Sequence, residues 1–286
     1  FNLKQYKKAI KMYELALHIN PNFVTSILNL GAALSKLGNV EDAIEKFKKT
    51  VQLDPENIQA YLYWAETLNS YRKYEQALEI SIRLLEIAPE SADAFANLGN
   101  TLCNMKLYKD ALDYYYSAIK IQPNNFHILN SIGLCLIKTK NYIKAEKILN
   151  NSIDISNNHI AFNNLGYLYS EIGDLLKVKY NLLEAIRYDS DYADGHLNLG
   201  LLLLLEKNYA RGLKEYEWRL KKNSGNTIFV YNYDTSFKRW NKSIDLRGKF
   251  ILVSAEQGLG DSIQFSRFIN YLLDKKCKII FRVQDC

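Results

Sequence analysis

Six residues sharing one chain position could hold a peptide backbone. Asn29, Tyr63, Asn97, Ser131, Asn164 and Asn198 follow one another at intervals of 34 residues, with one interval of 33. Asparagine is a mediocre helix former, so its fourfold use within segments that read as helix needs another reason. Its amide carries an acceptor and two donors, a match for the C=O and N–H of an extended chain. A row of such amides would grip a peptide without reading its side chains, each pair contributing about 0.5–1.5 kcal/mol net. The same amides could instead bond to neighbouring helices and hold a stack together. Glu66, Asn100, Asn104, Asn130 and Asn163 fall on the same side by this register and join the candidate groove.

A second group stands near the carboxy end, where Gly258-Leu259-Gly260-Asp261 follows the apolar run Phe250-Ile251-Leu252-Val253. A glycine-rich turn between a strand and a helix offers free N–H groups to an anion. The signal is weak alone: the string is neither GxGxxG nor a loop ending in Gly-Lys-Ser/Thr. Asp261 with Gln264 three residues on also fits a helix cap. Cys103, Cys135, Cys277 and Cys286 show no CxxC spacing and no clustering with His18, His127, His159 or His196. Reduced thiols of a cytoplasmic-type compartment are therefore expected, with no metal and no cofactor.

The elements that position these residues are set by a repeat. The four prolines, Pro21, Pro55, Pro89 and Pro123, stand 34 residues apart. Gly31, Ala65, Gly99 and Gly133 keep that interval, and Gly166 and Gly200 resume it after the loss of one residue. Twelve residues after each come Ala43, Ala77, Ala111 and Ala145, then Val178 and Gly212. Small residues at fixed positions let two helices of a pair approach, and a proline cannot continue the second helix. Tyr74, Tyr108, Tyr142 and Tyr209 recur near the turn within each pair.

This pattern resembles the tetratricopeptide-repeat family over residues 1 to about 223, with full units starting near Val24, Ile58, Ala92, Phe126, His159 and Ala193. The resemblance implies an all-α superhelical solenoid whose first helices line a concave face that binds a protein or extended peptide. The asparagine row is similar to the ladder in the superhelix of O-linked N-acetylglucosamine transferases. The basic pair with which chaperone-binding members clamp a carboxylate is missing, since Thr25, Leu28, Asn29 and Ala32 stand there.

After Lys222 the period stops. The predicted layout is repeats over 1–223, a linker over 224–247, and a β-loop-α-β segment over 248–286. Tyr216-Glu217-Trp218-Arg219, Trp240 and Glu256-Gln257-Gly258-Leu259-Gly260-Asp261-Ser262-Ile263-Gln264-Phe265 together resemble bacterial proteins in which such repeats precede a heptosyltransferase-like glycosyltransferase domain. That domain has two Rossmann-like halves (the GT-B type), so residues 248–286 would be its start. The resemblance implies that Asp261 serves as base on an acceptor hydroxyl in a complete enzyme, with a sugar nucleotide as donor only if the second half follows. The 286 residues by themselves are not expected to transfer sugar.

Composition narrows the alternatives. Apolar residues at 48% and charged residues at 24% describe a folded chain rather than a disordered one. No apolar run, Leu201 to Leu205 included, comes near the roughly 20 residues a bilayer span needs. Between Lys207 and Lys249 eleven Lys and Arg face four Asp and Glu, a surplus larger than the net charge of +6. A solvated helix end and linker account for that stretch better than a nucleic-acid footprint does. Two functions remain: a binding module that precedes a glycosyltransferase, or a scaffold with no catalytic activity.

Overall fold

The computed structural model describes residues 3–220, 240, 245–254, 266 and 269–282. The chain divides into two compact units, Phe1–Ser224 and Gly225–Cys286.

The first unit is helical. After α1 (Leu3–Ile19) come six antiparallel pairs: α2 (Val24–Leu37) with α3 (Val40–Leu53), α4 (Ile58–Ser70) with α5 (Tyr74–Ile87), and α6 (Ala92–Asn104) with α7 (Tyr108–Ile121). Then follow α8 (Phe126–Lys138) with α9 (Tyr142–Ile155), α10 (His159–Ile172) with α11 (Leu175–Tyr188), and α12 (Ala193–Leu205) with α13 (Tyr209–Tyr216). A short 3-10 helix, Glu217–Leu220, closes the run. The first helices begin where the 34-residue register puts them.

Local chemistry explains both joints of a unit. Pro55, Pro89 and Pro123 stand in the loops between pairs, and the caps that follow are polar. Asn57 Oδ1 accepts from the Ala60 N–H at 3.0 Å, Ser91 Oγ from Ala94 at 3.3 Å, Asn125 Oδ1 from Ile128 at 3.3 Å and Asn158 Oδ1 from Ala161 at 2.8 Å. Within each pair the first helix ends on a left-handed residue: Gly38, Arg72, Lys106, Lys140, Gly173 and Lys207, with φ between 59° and 91°. The next N–H then reaches back to a carbonyl five residues earlier, as Lys73 does to Leu68 and Leu107 to Leu102, both at 2.9 Å. These bonds satisfy carbonyls that a helix end would leave open.

The two helices of a pair lock through a residue 16 positions after each small one. A Cβ on Gly31 would meet Phe47 at 2.8 Å, one on Gly99 would meet Tyr115 at 2.8 Å, and one on Gly133 would meet Leu149 at 2.5 Å. In the second full repeat Ala65 and Ser81 hold these two positions, both fully buried. Ala43, Ala77, Ala111 and Ala145 are fully buried. One apolar cluster runs without a break from Ala92 to Leu203, the continuous core of a stacked array.

The stacking is asymmetric. Each first helix packs on the second helix before it and also touches the next first helix, from α2 on α4 to α10 on α12. The second helices make no comparable contact with one another among the described residues. The array therefore curves with its first helices inside.

In the second unit β1 (Phe250–Ser254) pairs in parallel with β2 (Lys278–Arg282), Phe250 opposite Lys278 and Ser254 opposite Arg282. The helix α14 (Ile269–Leu273) lies between them in sequence, as a parallel pair requires a crossover. Leu246 and Cys277 are buried there. Among the described residues the sheet has two strands, which by itself does not show the Rossmann-like start expected from the sequence.

Candidate groove on the first-helix face

Among the described residues, clefts open at two places along the row of first helices. The larger, about 460 Å³, lies between α1, α2 and α4. Its walls include Tyr6 and Tyr13 of α1, Asn29 and Lys36 of α2, and Tyr63 and Glu66 of α4. Tyr6 and Tyr13 stand two turns apart on one side of α1, which brings both rings to the cleft. The Tyr63 ring leans on Phe47, centroids 6.4 Å apart, and that contact fixes its direction. At the rim the Lys36 Nζ donates to Glu66 Oε1 at 3.0 Å, a half-exposed pair joining successive first helices. Such a pair contributes about 1 kcal/mol or less to stability, so it can open for a ligand at little cost.

The second cleft, about 220 Å³, is bounded by α10, α11 and α12. Asn198, Tyr167 and Ser170 supply polar side chains, and Leu175, Leu201 and Leu205 supply apolar wall. Asn198 Nδ2 donates to Asn163 Oδ1 at 2.8 Å, which ties α12 to α10. Beside it the Lys138 Nζ donates to the Tyr167 hydroxyl at 2.7 Å. That bond raises the Lys138 pKa above its ordinary value.

The ten groove residues named from sequence divide by their surroundings. Asn29, Tyr63 and Glu66 share the larger cleft, and Asn198 borders the smaller with its partner Asn163. Asn100 and Asn104 are exposed on α6. The Asn100 Oδ1 accepts from the buried Tyr115 hydroxyl at 2.7 Å. Asn97, Asn130 and Asn164 are buried and bonded inside the stack. Asn97 Oδ1 accepts from Ser81 Oγ at 2.7 Å. Asn130 Nδ2 donates to Asn158 Oδ1 at 2.8 Å while its Oδ1 accepts from Ser152 Oγ at 2.8 Å. Asn164 Nδ2 reaches the Asn130 carbonyl at 3.4 Å. These three serve the joints between repeats.

Sequence reasoning overlooked Tyr6, Tyr13, Leu201 and Leu205. The seven-residue spacing of the two tyrosines was a usable signal; the leucines carry none beyond an apolar run. Gly258, Gly260 and Asp261 lie outside the described residues. No group of three or more His, Cys, Asp or Glu suited to a metal occurs among the described residues, and no described helix is long and apolar enough to cross a membrane.

With this geometry in hand, the chain can be set beside known proteins. A family model described as tetratricopeptide repeat matches residues 92–125, and a second of the same description matches 126–159. A model for subunit 3 of the anaphase-promoting complex, or cyclosome, matches residues 2–82. No curated protein matches the chain. Among solved structures, a tetratricopeptide repeat protein from Parabacteroides merdae ATCC 43184 is similar at a TM-score of 0.65 and 17% identity, over 80% of this chain and 88% of that one. Cut9–Hcn1, a hetero-tetramer of the same complex, gives 0.64 at 16% identity over 78% of this chain and 44% of its own. PilW, a type IV pilus biogenesis factor, gives 0.59 at 22% over 70% and 93%. Identities this low speak for the fold alone. Residues 92–159 are tetratricopeptide repeats, and the helical array around them has the fold of that family.

Proposed function

We propose that the helical array is a protein-interaction module that binds an extended peptide segment along its first-helix face, anchoring one apolar or aromatic side chain in the cleft of Tyr6, Tyr13 and Tyr63. The observation that carries this reading is the joint placement of three tyrosines and the Asn29 amide around one open cleft. An aromatic wall supplies burial and the amide supplies backbone pairing, the division of labour found in peptide grooves. Asn100 and Asn104, outward on α6, extend the polar track beyond the cleft. The test selects ten-residue peptides on the wild-type chain from a display library and titrates one selected peptide against variants. Tyr63→Ala should weaken binding about tenfold or more and Asn29→Ala several-fold, with helix content kept. Glu79→Ala, exposed on α5, should leave affinity unchanged. Equal affinity for Tyr63→Ala and wild type would remove this cleft from the site.

A second reading concerns the context of the module: it precedes a sugar-transferring domain and presents acceptor proteins to it. It is favoured by the parallel β1–β2 pair flanking the segment that holds Gly258, Gly260 and Asp261. A sugar nucleotide would be the donor and Asp261 the base. Sequencing the gene past the Cys286 codon tests the context, since a stop codon there ends the idea. In a complete enzyme, Asp261→Asn that keeps normal turnover would reduce Asp261 to a helix cap.

A further inference from the structure

Successive first helices are joined by a row of side-chain contacts that repeats every unit. Ser35 Oγ and Thr67 Oγ1 lie 2.8 Å apart, and Asn69 Nδ2 donates to Thr101 Oγ1 at 2.8 Å. The third member of the row is Cys135 donating to the sulfur of Cys103 at 3.6 Å. All three pairs are separated by 32 residues, so the same two positions of neighbouring repeats meet each time. In the next pair of that register the positions fall to Ile137 and Leu168, both buried and apolar. Only the third pair places one thiol on another.

We propose that Cys103 and Cys135 form a reversible oxidative staple, closing to a disulfide that links the third and fourth full repeats when the protein meets a peroxide. Three observations support it. The sulfurs are in contact, 3.6 Å apart, across two helices whose positions are fixed by the core on either side. Access is unequal: Cys135 is fully buried, whereas Cys103 is partly exposed. The titration is unequal in the same sense. Cys103 is pulled below the ordinary thiol range, chiefly by the S–H of Cys135 and with help from the Lys138 ammonium, while Cys135 is pushed up. A reachable thiol whose ionisation is eased and a shielded partner thiol are the arrangement of an attacking and a resolving cysteine.

The steps balance. The Cys103 thiolate attacks one peroxide oxygen, the O–O bond breaks and hydroxide leaves, so sulfur is oxidised by two electrons to the sulfenic acid and peroxide is reduced. The Cys135 sulfur then attacks the Cys103 sulfur, an S–S bond forms, and the S–O bond breaks. The departing hydroxide takes the Cys135 proton as water. A thiol reductant reverses the product by exchange. The staple would fix the distance between α6, which carries Asn100 and Asn104, and α8. The chemistry does not depend on what the groove binds.

The experiment treats the folded 286-residue chain with a few-fold excess of hydrogen peroxide. Under non-reducing conditions a monomer should lose two hydrogen masses, and its digest should yield one peptide pair joining Cys103 to Cys135 that dithiothreitol separates. The melting temperature should rise by roughly 5–10 °C, as expected when a loop of this length is closed. Cys103→Ser and Cys135→Thr are suitable variants because serine and threonine already fill these positions in the Ser35–Thr67 pair, so the fold should stand. Cys135→Thr should leave a Cys103 sulfenic acid that dimedone traps, and Cys103→Ser should leave Cys135 unmodified. Wild-type Cys103 that proceeds to sulfinic acid without the linked peptide would overturn the proposal. So would disulfides that involve Cys277 or Cys286 instead, or a linked monomer that melts lower than the reduced one.

Discussion

Replacing Gly133 by alanine puts the packing of the pairs to a numerical test. Two effects oppose each other. Alanine in a helix interior is favoured over glycine by about 1 kcal/mol. Against that, the new Cβ would lie 2.5 Å from Leu149 Cδ2 and 2.6 Å from its Cγ, where carbon atoms rest at roughly 3.5–4.0 Å. Leu149 is fully buried inside the continuous cluster, so it must move by about 1 Å against close-packed neighbours. Overpacking of that kind costs about 1–3 kcal/mol or more, and Gly133→Ala should come out destabilised by about 1–2 kcal/mol. Gly166 supplies the control. Its Cβ would meet Leu182 at 3.1 and 3.2 Å, a crowding relieved by a few tenths of an ångström, so Gly166→Ala should fall within about 0.5 kcal/mol of wild type. Urea denaturation followed by far-ultraviolet circular dichroism reads both. Because stacked repeats can unfold in parts, the comparison rests on the order of the midpoints. A Gly133→Ala midpoint at or above that of Gly166→Ala would refute the reasoning.

Two further expectations concern the turns and the buried phenol. Lys106→Gly and Lys140→Gly should each stabilise the array by about 0.5–1 kcal/mol, because both lysines hold a left-handed backbone, φ 65° and 61°, that costs an L-residue with a Cβ; midpoints at or below wild type would contradict this. The Tyr115 hydroxyl is held above the ordinary tyrosine range, first by burial and then by the neighbouring Cys103 and Cys135 thiols as their charge develops. Its unfolded counterpart loses a proton near pH ~10, so the stabilisation is complete below that pH and falls as pH rises through it. The slope is at most about 1.4 kcal/mol per pH unit, and Tyr115→Phe should flatten the urea midpoint measured across this range.

The helical array was legible in the sequence because its causes are local and repeat. Pro55, Pro89 and Pro123 mark loops, and the small residues from Gly31 to Gly200 mark close approach. Their partners were harder to see. Phe47, Ser81, Tyr115, Leu149 and Leu182 share one register but differ in kind, and what unites them is the space opposite each. The groove residues show the same limit. Asn29 and Asn97 occupy one position of the repeat, yet Asn29 lines a cleft while Asn97 accepts a hydrogen bond from Ser81. Ser81 stands where other repeats place a bulky residue, so the polar niche around Asn97 is a local exception that no period announces. The left-handed turn residues escaped notice because Arg72, Lys106, Lys140 and Lys207 do not look like turn residues.

Those four residues have an electrical consequence. Each carries its positive charge just past the last turn of a first helix, where the peptide dipoles leave a partial negative charge. The attraction offsets some of the steric penalty of the left-handed backbone, and it does so repeat after repeat along one edge of the array. Added electrolyte weakens that attraction and leaves the steric penalty untouched, so dilute buffer is the medium in which these corners hold best.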